Sequence, residues 1–407
     1  MRSCLFAIAF LLTAIPAFAA DIAVAPGAGS AEKLAEALIN AKEGDTVWLG
    51  FGRYEITDGL SLDVDGVSLR GMGPGQSILS FGGQQGSGEG LLVTSDRVVL
   101  AEFGVENPKG DGIKSKGSDQ ITFRNLRVEW MGGPKAENGA YGVYPVSSKN
   151  VLIEGVTVRG ASDAGIYVGQ SQNIIVRNNV AEFNVAGIEI ENSFNADVHD
   201  NLSTHNTGGI LIFDLPNLPQ QGGRDIRVFN NKVIDNDTDN FAPKGNIVAL
   251  VPRGLGMLVM ANRNVHVFGN TLSGNDTSHI GIITYPNDYK DDIYVASPRG
   301  IYVHDNIYGE GGGKPNGEFG KLFADVGGIP LPHVIWDGVT PLSEWLSWTA
   351  PEDRVYVNEK GGTTYANLKM IPNFLLPWKT APDRTMPRFE GTPPEPAAVV
   401  LPQDSGS

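Results

Sequence analysis

The chain has 407 residues, with 46 acidic side chains against 31 basic ones and a formal charge of −15. That sign argues against nucleic acid as a partner, because phosphate binding needs a basic footprint. Its 52 glycines, without collagen periodicity, call for many turns, and Cys4 is its single cysteine.

Residues 1–20 combine Arg2, an apolar run from Leu5 to Ile15 and the small-x-small triplet Ala17-Phe18-Ala19. This is the pattern of a secretory signal peptide, too short and wrongly flanked for a spanning helix. Its cleavage would remove Cys4, which leaves no disulfide, thiolate or zinc–cysteine chemistry. No later segment is apolar enough to span a membrane. The expected product is a soluble monomer, periplasmic or secreted.

Residues 21–44 form an N-terminal segment. Ser30 is the expected N-cap of a short helix that puts Leu34, Leu38 and Ile39 on one face, a cap for the apolar end of the repeats that begin at residue 45.

From residue 45 to 307 the sequence repeats. Gly142, Gly165, Gly187 and Gly209 each open a Gly-β-x-β run, at intervals of 23, 22 and 22 residues. A second series runs in phase, as in Asn150-VLIEG, Asn173-IIVRNN and Asn195-ADVHDN. Each unit holds about three short strands with turns marked by Gly and Asn. Strands this short need stacking, which predicts an all-β solenoid whose coils pair rung to rung. Asn179, Asn201, Asn231, Asn270 and Asn306 suit a bend of left-handed φ, and a stack of their amides could hydrogen-bond between rungs. After residue 307 the repeat fades. Residues 308–380 read as irregular and the Pro-rich 381–407 as disordered.

These coils and the entry AKEGDTVWLGFGRYEI (41–56) resemble right-handed parallel β-helix proteins of the pectate-lyase-like superfamily. Within it the chain is most similar to a group of exported bacterial parallel β-helix repeat proteins with no activity attached. The resemblance implies a right-handed β-helix and leaves lyase, hydrolase, epimerase and non-catalytic roles open. Mannuronan C5-epimerases of this fold carry Asp-Pro-His-Asp on the corresponding outward strand. Here Tyr144-Pro145-Val146-Ser147 keeps only the proline, and the clustered aspartates of polygalacturonases are missing.

In Gly-Ile-x-Val the residue x points outward, so stacking builds a column of Lys114, Tyr144, Tyr167, Glu189 and Leu211, with rungs ~4.8 Å apart. Glu191 also faces outward, roughly 6.5–7 Å along the strand from Glu189. Aromatic rings suit sugar faces, while carboxylates and lysine suit hydroxyls and acid groups. Insertions at 131–140, 214–223, 235–246 and 285–292 gather on the same side, as binding-face loops do in repeat folds. Tyr167, Tyr144, Glu189 and Glu191 are therefore the candidate catalytic residues, and Lys114, Asp214 and Asn192 the candidate substrate contacts. The plain alternative is a run of good β-formers and solvated acids. A second outward column, Arg124, Glu154, Arg177, His199 and Phe229, offers Arg177 and His199 as a rival site, or ordinary surface pairs.

The leading expectation is a lyase or C5-epimerase on a uronate-containing polysaccharide, with Tyr167 or Tyr144 as base and Lys114 or Ca²⁺ against the sugar carboxylate. A hydrolase using Glu189 and Glu191 fits the inverting separation of ~6.5–9.5 Å. A non-catalytic glycan- or protein-binding envelope protein is the alternative. Third is copper handling through Met257, Met260 and His266, by likeness to a periplasmic β-helix protein of nitrous-oxide reductase maturation. The acidic runs at 235–240 and 288–292 lack EF-hand spacing, and no metal or cofactor is expected, Ca²⁺ apart.

Overall fold

The computed structural model describes residues 19–86, 88–340, 350–375, 380–391 and 394–402. All but the last two residues of the expected leader lie outside these. The strands form three stacked parallel sheets of 12, 10 and 11 strands, visited in turn by each coil. One coil runs through Lys149–Glu154 in the first sheet, Thr157–Arg159 in the second and Ala164–Gly169 in the third. The next coil stacks on it in register, pairing Ile166 with Ile188 and Glu154 with Arg177.

The β-branched positions point inward and make one continuous core, in which Ile166, Ile188 and Ile210 are fully buried. The repeating glycine exists because rungs meet closely there. A Cβ on Gly142 would lie 2.6 Å from the Gly165 carbonyl oxygen and 2.3 Å from Val158 Cγ1.

The asparagines do a different job from the one expected. Left-handed φ falls on the residue before each, at Asn178, Asp200, Asn230, Gly269 and Asp305. Asn179, Asn201, Asn231 and Asn270 are instead buried, each amide donating to the next side-chain oxygen at 2.9–3.0 Å, as far as Asn306. The expected amide stack is therefore present, while the bend belongs to its neighbour. A second buried ladder, which the repeat analysis did not single out, runs Asn184, Asn206, Asn236 and Asn275. Each member stands five residues after one of the first, so each of these four coils pins two corners.

The helix Ser30–Asn40 lies against the strands of the first coil with Leu34 and Leu38 buried. Gly29, not Ser30, holds the N-cap position, and Ile39 is 69% exposed. Ile39 stands ~100° of helical rotation past Leu38, which takes it off the buried face.

The solenoid also continues past residue 307. Val334–Trp336 and Tyr365–Asn367 extend the third sheet, and Val355–Asn358 extends the first. Helix Gly317–Gly327 packs on the outer side of the third sheet through Phe323. The repeat fades there through insertion between rungs, not loss of rungs. Residues 394–402, expected to be disordered, lie along the outer first sheet. Val399 N–H donates to Asp197 Oδ2 at 3.1 Å, and Leu401 and Pro402 line a small hollow with Leu152 and Thr122. Its proline content keeps this segment out of a β-ladder, but Val399 and Leu401 give it an apolar edge that composition alone undervalues.

Candidate active site

The outward column of the third sheet has the expected register, Lys114 beside Tyr144 and Tyr167 beside Glu189 and then Leu211. Outward does not mean exposed, however. Tyr167 is 4%, Glu189 1% and Glu191 6% exposed, because the insertions fold over this sheet from both of its edges. Residues 130–140 and 235–254 enter it, and 214–223 and 284–298 leave it.

At its centre three carboxyl groups meet. Glu189 and Glu191 hydrogen-bond to each other, and Asp163 adds its field. The Tyr167 hydroxyl donates to Glu191 Oε1 at 2.5 Å, and Asn246 Nδ2 donates to Asp163 Oδ2 at 2.9 Å. Glu189 Oε2 has no hydrogen-bond partner among the described residues. Among the described residues no cation is paired with this group, so burial dominates. Burial pushes Asp163 and Glu191 up to about 7, and burial with the neighbouring carboxylates pushes Glu189 well above the usual range. The cluster therefore holds protons at neutral pH that it can give and take back.

The tyrosines answer differently. Burial first, then the carboxylates, raises Tyr167 well above a free phenol, and burial raises Tyr144. Both shifts favour the protonated phenol, so each presents a hydroxyl group to its surroundings. Tyr141 joins them, its ring 4.3 Å from Tyr167 and 4.5 Å from Tyr144. Neither Tyr141 nor Asp163 stands out in the sequence. Asp163 stands two residues before the repeat glycine Gly165, at the bend that opens the strand.

Lys114 extends its ammonium over the Tyr144 ring, 4.7 Å from the centroid, and reaches Glu89 at 2.8 Å and Asp111 at 3.5 Å. Next to it opens a pocket of 330 Å³, bordered by Glu89, Lys109, Asp111, Asn138, Ser162 and Asn246. Asp163 lies one hydrogen bond behind that wall.

Other expected contacts prove to be supports. Asn192 is fully buried and spends its amide on the carbonyls of Leu215 and Gln220, both at 2.9 Å. Asp214 accepts the Gly222 and Gly223 N–H groups at 3.2 and 2.8 Å. Both therefore fasten the 214–223 loop.

On the first sheet, Glu154 takes Arg124 at 2.5 Å and Arg177 at 2.6 Å. His199 turns from Arg177, facing Asp200 at 2.6 Å and stacking on Phe229 at 4.7 Å. That column is a chain of satisfied surface pairs. The copper set does not assemble either. Met257 is in the inner core, Met260 in the outer cluster, and His266 on the first sheet. Among the described residues no group of three or more His, Cys, Asp or Glu could hold a metal ion. In the acidic loops, Asp237 engages His205 and Asp239 engages Arg253. No described helix is long and apolar enough to cross a membrane.

Residues 83–217 and 111–307 match the family model of the right-handed β-helix region, and together they cover more than half of the chain. The chain belongs to that family. Among solved structures it is similar to the A-module of a mannuronan C-5 epimerase of Azotobacter vinelandii, at 15% identity and TM-score 0.52, over 82% of this chain and 90% of that one. A DFA-IIIase of Arthrobacter chlorophenolicus A6 follows at 14% and 0.49, over 78% and 92%. An alginate lyase of Paenibacillus sp. superposes at 16% and 0.42, over 71% and 95%. At such identities the likeness shows the fold alone. No curated protein matches the sequence.

Proposed function

We propose that this is an exported carbohydrate-active protein, a lyase or C5-epimerase that performs acid–base chemistry on a uronate-containing polysaccharide. The observation that carries the reading is the buried Asp163–Glu189–Glu191 cluster, in which burial raises Asp163 and Glu191 to about 7, joined through Asn246 to the pocket bordered by Glu89, Lys109 and Asp111. Glu191 or Asp163 takes the proton from sugar C5. Lys114 and Lys109 supply positive charge for the sugar carboxylate, whose enolate-like form gathers charge as the proton leaves. Tyr144, protonated and half-buried, donates to the departing 4-oxygen in an elimination; reprotonation of C5 from the opposite face would instead give epimerisation. The likeness in fold to a mannuronan epimerase agrees with this class of substrate.

The test is incubation of the wild type and Glu191→Gln with alginate and polygalacturonate, reading unsaturated ends and C5 hydrogen exchange. Turnover by the wild type that collapses in the variant supports the proposal. Turnover unchanged in Glu191→Gln overturns it. A second reading, a glycan binder without turnover, draws on the depth of Tyr167, Glu189 and Glu191 behind Tyr141 and Tyr144. Binding without any bond change in the same screen would establish that reading.

A further inference from the structure

The outer face of the third sheet changes character at one rung. From Lys114 to Glu189 and Glu191 it is polar and aromatic. The next rungs carry Leu211 and Phe213, then Leu258 and Met260, then Gly281 and Ile283. All of these but Gly281 belong to a second apolar cluster lying outside the coils, completed by Val248, Val251 and Phe323 from the insertions.

The covering elements stand across the column. The short helix Ile247–Leu250 begins one residue after Asn246, the residue that holds Asp163, and helix Gly317–Gly327 packs against it. Beyond them the surface hollow is mostly apolar, lined by Ile283, Phe319, Leu322, Phe323 and Met370, with Thr284, Tyr285, Glu318 and Asp337 as its polar groups. On the other side the open pocket at Glu89, Lys109 and Asp111 leads away from the cluster toward the first coils.

We infer that the groove is closed at the carboxyl cluster and that the protein takes the end of a glycan chain rather than its interior. This rests on the proposed carbohydrate reading. The polymer enters through the pocket bordered by Glu89, Lys109 and Asp111, and its terminal sugar stops against Asn246 and the 247–251 wall. The cluster then acts on the terminal unit or on the linkage next to it. The consequence is chain-end specificity set by an insertion, in a fold whose unbroken side would accept a strand passing through.

The experiment is calorimetric binding of mannuronate and galacturonate hexamers to the wild type, each free, or carrying a bulky fluorophore at its reducing or its non-reducing end. The expected result is that one label weakens binding at least tenfold while the other leaves it unchanged. Equal affinity for all three forms means an open-ended cleft and overturns the closed groove alone. Absence of binding by every hexamer overturns the carbohydrate reading, and the inference with it. In a parallel arm, alginate viscosity should lag behind the release of the smallest products. Early loss of viscosity with mid-length products would also overturn the closed end.

Discussion

Two outward columns of one repeat, a sheet apart, handle charge in opposite ways. On the first sheet nearly every charge has a partner: Glu154 lies between Arg124 and Arg177, and Asp197 takes Arg227 at 2.7 and 2.8 Å. On the third sheet Asp163, Glu189 and Glu191 are buried together with no cation paired to them among the described residues, held only by neutral donors such as Asn246 and Tyr167, and this burial costs stability. A fold that can pair its charges at each rung, and does so on one side, has left them unpaired on the other. Buried like charge in a repeat protein is thus a better guide to chemistry than an exposed histidine in an ion-pair ladder.

The sharpest way to break this comparison is Glu191→Gln. If the cluster is the acid–base centre, turnover falls by ~10²–10⁴-fold, the usual worth of such a group. Stability moves the other way. A carboxyl raised to about 7 in the folded protein favours folding below the unfolded value near 4.5, and that contribution is lost as pH rises through 7. The wild-type melting temperature should therefore decline between about pH 5 and 8. In Glu191→Gln the decline should flatten, with the variant at least as stable as the wild type at pH 8. A variant that loses stability at pH 8 would make the cluster a structural network.

Asn201→Leu tests the interior against both columns. The change strips the Val176 carbonyl and the Asn179 backbone N–H of a partner in a buried corner, and removes one of two bonds each from the Asn179 amide nitrogen and the Asn231 side-chain oxygen. Buried groups left unpaired cost ~1–3 kcal/mol each, so a loss of about 3–5 kcal/mol is expected in denaturant unfolding. A midpoint unchanged from the wild type would mean that the ladder is not what fastens the coils.

How legible the molecule is in its sequence depends on periodicity. Gly165, Ile166 and Val168 recur at fixed intervals, so the coils, the register and the outward place of Tyr167 and Glu189 can be read from spacing. The five-residue offset between Asn179 and Asn184 is equally visible there, and it marks the second ladder. Burial is not legible, because it is decided by insertions that do not repeat. Asn246 reaches Asp163 across 83 residues of chain, and Asn192 is consumed by a loop 23 residues on. Hence the outward place of Tyr167, Glu189 and Glu191 is legible in the repeat, but not that insertions bury them beside Asp163.

Tyr167→Phe sharpens the comparison within the site. The hydroxyl donates to Glu191 and holds that carboxyl lower than burial alone would set it. Its removal should cost about tenfold in turnover and shift the limb of the pH–rate profile governed by Glu191 toward higher pH. A purely steric role for the ring would leave the profile in place.

The smallest effect is expected on the other column. Arg177 is 38% exposed and shares Glu154 with Arg124, so Arg177→Ala leaves the carboxylate one strong partner. Partly exposed pairs of this kind are worth ~0.2–1 kcal/mol, further reduced by salt. The melting temperature should fall slightly, less so at high ionic strength, and turnover on any active substrate should stay within twofold. His199→Ala should behave alike, because its ring is held by Phe229 and Asp200 rather than aimed at an open pocket. Should either substitution cost more than tenfold in turnover while Glu191→Gln costs little, the two columns would exchange roles: the paired charges of the first sheet would be the reacting groups, and the buried carboxyls a strained relic of packing.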